Sequence, residues 1–130
     1  MLRIVIAAAV AAGLPLIAFA APGLAKAREA ATAVPPPAFA QCKACHSVDP
    51  NGKSGVGPNL YGVAGKAAGA RPGYSYSPAM KSARKRWDRA TLDAFIKDPK
   101  VVVPGTKMPA LGVEDAQRRK QIVDYLLALN

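Results

Sequence analysis

The sequence predicts an all-α domain, and three observations carry that reading. From Glu114 to Leu129 apolar side chains recur at three- and four-residue spacing, placing Ile122, Tyr125, Leu126 and Leu129 on one stripe. Helix-opening residues recur as well, with Ser77 ahead of Pro78 and Asp88 ahead of another apolar-periodic run. No segment alternates apolar and polar residues as a half-buried strand would.

Each element follows in order. Pro35-Pro36-Pro37 reads as a stiff linker that ends on a helix start, and a short helix is expected from Ala38 to His46. Asp49 to Gly57 is a Gly/Ser/Asn loop, and Gly62 to Gly73 is a second stretch without periodicity. Ser77-Pro78 opens a short helix expected to run to about Arg86. Asp88 caps a helix through about Lys97, which Pro99 ends. Val101 to Leu111 reads as an irregular loop holding Pro104, Gly105 and Pro109. The final helix begins at the acidic pair Glu114-Asp115, which suits the positive end of its dipole.

The N-terminus reads as a leader. Met1-Leu2-Arg3 is a short positive start, no residue from Ile4 to Ala25 is charged, and Ala18-Phe19-Ala20 ends in the small-x-small pattern of a signal peptidase site. Residues 1–20 are therefore assigned to a signal peptide, with Gly23-Leu24-Ala25 as a second end and an uncleaved anchor as the competing reading. Residues 21–37 form a linker, and residues 38–130 the domain. Either way the body of the protein lies outside the cytoplasmic membrane, as a periplasmic protein that is free or membrane-anchored.

With 130 residues the chain has room for one domain, and three Phe, one Trp and four Tyr make a sparse core. Such a domain is marginal unless another group fills its centre. The formal net charge of +10 favours acidic protein partners or anionic surfaces. Nucleic acid is not expected, because the basic residues adjoin no recognition motif with interleaved aromatics.

The chemistry concentrates in Cys42-Lys43-Ala44-Cys45-His46, the C-x-x-C-H pattern of covalent c-type haem attachment. Residues three and four apart share a helical face, so Cys42 and Cys45 can add to two vinyl groups along one haem edge while His46 faces the iron. A disulfide across two residues would be strained. A redox dithiol lacks its βαβ surroundings, and a structural zinc site lacks a fourth ligand. His46 is the only histidine, so a second histidine ligand from the monomer is excluded. Met108, Met80, a lysine or an open site remain. Met108 is favoured because it ends the rigid Pro104-Gly105-Thr106-Lys107 loop, whereas Met80 sits in an expected helix.

These motifs, with Gly57-Pro58-Asn59-Leu60, Gly73-Tyr74-Ser75-Tyr76-Ser77, Trp87 and Pro99-Lys100, resemble the class I cytochromes c, in the branch of mitochondrial cytochrome c and its bacterial relatives. The resemblance covers about residues 38–129. It implies N- and C-terminal helices packed together, with short helices and long loops around one haem, and the Ile122/Tyr125/Leu126 face set on the N-terminal helix near Phe39. It implies axial ligands His46 and Met108, with the Pro58 carbonyl on the free ring N–H of His46. Tyr76, Trp87 and Thr106 would bond a buried propionate.

Some positions depart from the mitochondrial pattern. Lys66 replaces an arginine near a propionate, Phe95 a tyrosine that reaches the Met sulfur, and Met80 a polar residue, which together imply a drier distal side. Lys43, Lys53, Lys100 and Lys107 keep part of the family's lysine ring, while Glu114 and Asp115 replace lysines and Lys81, Arg84, Lys85, Arg86 and Arg89 form a separate cluster. The implied function is a non-enzymatic single-electron carrier, a monomer that docks acidic faces of membrane redox complexes. A peroxidase-like haem protein or the haem subunit of a larger oxidoreductase stays as the alternative.

Overall fold

The computed structural model describes residues 33–109 and 112–129. The signal-peptide and anchor assignments, and residues 21–32 of the expected 21–37 linker, lie outside the described residues. The described part is helical. It holds a 3-10 turn at Pro37–Phe39 and five helices: α1 Ala40–Lys43, α2 Pro78–Ser82, α3 Arg89–Lys97, α4 Pro99–Val102 and α5 Ala116–Ala128. Among the described residues the only β pairing is an isolated antiparallel bridge between Ala67 and Arg86. No described helix is long and apolar enough to cross a membrane.

Side-chain caps start four of the helices. Ser77 accepts from the Met80 amide, Asp88 from Thr91 and Asp115 from Arg118, each satisfying one of the donors a helix start leaves free. Asp98 accepts from both Lys100 and Val101. This last cap makes α4, a helix where the sequence suggested only an irregular loop. Pro99 ends α3 and at the same time opens α4, since a first helical position needs no N–H.

Two expected helices are shorter than the sequence suggested. The Ala38–His46 segment divides into the 3-10 turn and α1, after which the His46 amide still bonds the Cys42 carbonyl at 2.9 Å. The Ser77 helix stops at Ser82 rather than near Arg86. Arg84 takes a left-handed backbone with φ of 50°, and Lys85 to Trp87 then pair with Gly65 to Ala68. Those non-local bonds win over a run whose composition alone would continue the helix.

The core forms where α5 crosses α3 and the 3-10 turn. Ile122, Tyr125, Leu126 and Leu129 are all buried, as their spacing implied, and Val123 joins them. Phe39 is fully buried and meets the Tyr125 ring edge-on, with centroids 4.8 Å apart. Such aromatic edges add about 0.5–1.5 kcal/mol beyond burial. The contact fastens the start of the Cys42–His46 turn to the C-terminal helix, so the core positions the site.

Candidate haem-binding site

The turn bearing Cys42, Cys45 and His46 is built by backbone bonds from the Cys45 and His46 amides to the Cys42 carbonyl, 3.2 and 2.9 Å long. Both cysteines are free thiols and half-buried. Burial pushes the Cys42 thiol up from its ordinary value, with a local backbone bond working the other way.

His46 is held from one side. Its Nδ1 lies 2.8 Å from the Pro58 carbonyl. A carbonyl only accepts, so Nδ1 carries the proton and Nε2 keeps its lone pair for a metal. Burial lowers the His46 pKa and the Pro58 bond partly opposes it, so the ring is biased towards the neutral form that binds iron. Gly57 makes the approach possible. A Cβ at that position would collide with the imidazole.

The loop carrying Pro58 is organised by Asn59, which is almost fully buried. Its Nδ2 donates to the Asp49 and Gly52 carbonyls, its Oδ1 accepts from the Tyr61 amide, and its own amide donates to Ser54 Oγ. Sequence reasoning missed this role. Its one signal was an amide side chain beside a Gly/Ser-rich loop, which needs an internal hydrogen-bonding centre.

Two further bonds draw the remaining segments to this one. Tyr74 donates to the Val56 carbonyl at 2.8 Å, joining the Tyr74–Tyr76 segment to the Gly57 turn. Lys107 Nζ donates to the Ser75 carbonyl at 2.9 Å, joining the Met108 loop to the same segment. Tyr76 is half-buried, with its ring 4.7 Å from that of Tyr74; burial raises its pKa, against the Arg71 backbone beside it. Trp87 is buried and packs on Phe95, with centroids 5.0 Å apart. Thr106 and Met108 are half-buried, and the Met108 amide donates to Thr106 Oγ1 at 3.3 Å. The turn leading into them depends on Gly105, whose φ of 88° suits glycine. Met80 is buried in the hydrophobic core.

The donor set therefore matches a covalently held porphyrin: two free thiols and an oriented imidazole on one turn, with a methionine loop tied to the same structure. The Cytochrome c family model matches residues 37–130. The chain belongs to the cytochrome c family. It is 50% identical to cytochrome c2 of Rhodomicrobium vannielii over 88 residues, which is 68% of this chain and 70% of that protein. It is 44% identical to cytochrome c2 iso-2 of Magnetospirillum fulvum, over 72% of this chain and 97% of that one. Among solved structures, cytochrome cH from Methylobacterium extorquens matches with a TM-score of 0.65 and 46% identity, covering 69% of this chain and 90% of its own. Membership makes this cytochrome a single-electron carrier with a covalently bound haem, and not an enzyme.

Proposed function

We propose that this cytochrome c is an exported monomeric electron shuttle whose one haem is anchored by Cys42 and Cys45 and ligated by His46 and Met108. The observation that carries the reading is the Pro58–His46 hydrogen bond on the turn that bears both thiols. When bound, the haem supplies a reversible one-electron couple whose potential a methionine ligand raises. Cys42 and Cys45 keep it from dissociating. Pro58 fixes the His46 tautomer and strengthens its donation. His46 and Met108 would together hold the iron and leave no site for oxygen or peroxide, as suits a carrier rather than a peroxidase.

Tyr76, Trp87 and Thr106 serve the propionates in this reading. They come from three segments, two of which are joined by the Lys107–Ser75 bond. Buried Met80 and Phe95 keep the distal side apolar.

The charge distribution supports acidic partners. From Pro50 to Trp87 the chain has no carboxylate, while Lys53, Lys66, Arg71, Lys81, Arg84, Lys85 and Arg86 fall within it. Such a field speeds encounter with an acidic face. The leader reading at residues 1–20 places this traffic in the periplasm, free or held by an uncleaved anchor.

Protein matured with the haem-attachment machinery tests the ligand set. Met108→Ala should abolish the red Met–iron charge-transfer band, and Met80→Leu should leave it. Persistence of the band in Met108→Ala would move the assignment to Met80.

A further inference from the structure

Arg119 is the one buried charged side chain among the described residues, at 7% exposure. Burying a guanidinium is costly unless its donors are well paired. Its Nε donates to Asp93 Oδ1 on α3 at 3.0 Å, and its Nη1 donates to the carbonyls of Val113 and Glu114 at 2.8 and 2.7 Å. From within α5 it thus holds two other pieces of chain.

Those pieces matter because of where they lie. Gly112 to Glu114 is the limb that follows Met108. It presses on the C-terminal end of α3: the Val113 amide donates to the Ile96 carbonyl at 2.9 Å, and a Cβ on Gly112 would collide with the Lys97 carbonyl. The limb preceding Met108 leaves the same end of α3 through Asp98 and α4, and is closed by the bond from the Thr106 amide to the Val103 carbonyl. The upstream tie is local in sequence. The downstream limb is tied to α3 over a longer range, by the Val113 amide on Ile96 and by Asp93 through Arg119, whose own bonds to Val113 and Glu114 span only six and five residues.

We propose that Arg119 is a positioning residue for the axial methionine: its guanidinium holds the downstream limb of the Met108 loop shut and so opposes displacement of Met108 from the iron. This rests on the reading of Met108 as ligand. Asp93 orients the guanidinium, and the two carbonyl bonds do the holding. A lysine has one nitrogen and could serve the carbonyls or Asp93, but not reach both as Nη1 and Nε do.

The test is imidazole binding to the oxidised holoprotein, since added imidazole competes with the methionine and reports loop opening. Arg119→Gln should bind imidazole at least about tenfold more tightly, since it loses the Asp93 pair and the charge-assisted bonds to the two carbonyls. Arg119→Lys should fall between it and the parent. Val123→Ala, a core truncation on the same helix that removes none of the three Arg119 bonds, serves as the destabilised control and should change imidazole affinity by less than about twofold. An unchanged affinity in Arg119→Gln, or an equal gain in Val123→Ala at matched loss of Tm, would reduce Arg119 to packing and overturn the proposal. Met108→Ala is read in parallel. If it keeps the red band, the ligand assignment fails and the proposal fails with it; if it loses the band while Arg119→Gln stays unchanged, the positioning role alone is overturned.

Discussion

The Pro58 carbonyl accepts the Nδ1 proton of His46 across 2.8 Å, and Gly57, the residue before Pro58, lies flat against the same imidazole. One turn of backbone thereby sets both the tautomer of the histidine and the distance of the chain from its ring. A side chain at residue 57 cannot be added without moving one of them.

Gly57→Ala is accordingly expected to displace the imidazole. Overpacking of this kind costs about 1–3 kcal/mol. The Tm of the holoprotein should fall by roughly 5 °C or more, and less of the chain should be recovered with haem attached. Calorimetry and intact-mass measurement check both. An unchanged Tm would mean that the ring has room the structure does not show.

Arg84 is the only non-glycine residue with positive φ among the described residues. An L-residue in that conformation carries about 1 kcal/mol of strain that glycine avoids. Arg84→Gly should raise Tm by roughly 4 °C in thermal melts. A fall in Tm would show that the arginine side chain makes a stabilising contact that outweighs the strain.

Asp124 lies between Lys120 and Arg89, at 2.7 and 2.6 Å, and their hydrogen bonds hold its carboxyl below the ordinary value. A depressed folded pKa adds stability above the unfolded pKa, and this is lost as pH falls through the folded one. The Tm advantage of the parent over Asp124→Asn should therefore hold from neutrality down to about pH 4 and shrink below it at low salt. Because the group is exposed, the effect is small. An advantage that grew on acidification would contradict the pairing.

Association with an acidic redox partner should slow as ionic strength rises, since the attraction is screened over about 10 Å at 0.1 M salt. Electron transfer requires docking close to the haem-bearing turn. Neutralising Lys43, which is exposed on that turn, should therefore lower the association rate more than neutralising Lys81 and Lys85. Stopped-flow kinetics measure this, and the reverse order would make the separate cluster the docking face.

How much of this was legible in the sequence depends on whether the cause was local. Caps are local, so the starts opened by Ser77 and Asp88 were readable, as was the buried stripe of α5, although that helix begins at Ala116 behind an Asp115 cap rather than at Glu114. The helix α4 was missed because Pro99 was read only as a terminator, although Asp98 before it is a capping residue. The early end of α2 comes from pairing between Gly65–Ala68 and Lys85–Trp87, distant in sequence, and no periodicity announces such a bridge. At the site, Cys42, Cys45 and His46 declared themselves by spacing. Pro58 was recognisable only through its family setting. Asn59 and Arg119 act through backbone carbonyls brought in by folding, and their residue types alone resemble ordinary polar surface.

A one-electron centre closed by His46 and Met108 can be observed by spectroelectrochemical titration of the holoprotein beside Met108→Ala. The parent should show a single one-electron transition and the variant a clearly lower potential, because the methionine ligand is what raises it. Equal potentials in the two proteins, or a parent transition that is not a one-electron step, would contradict it.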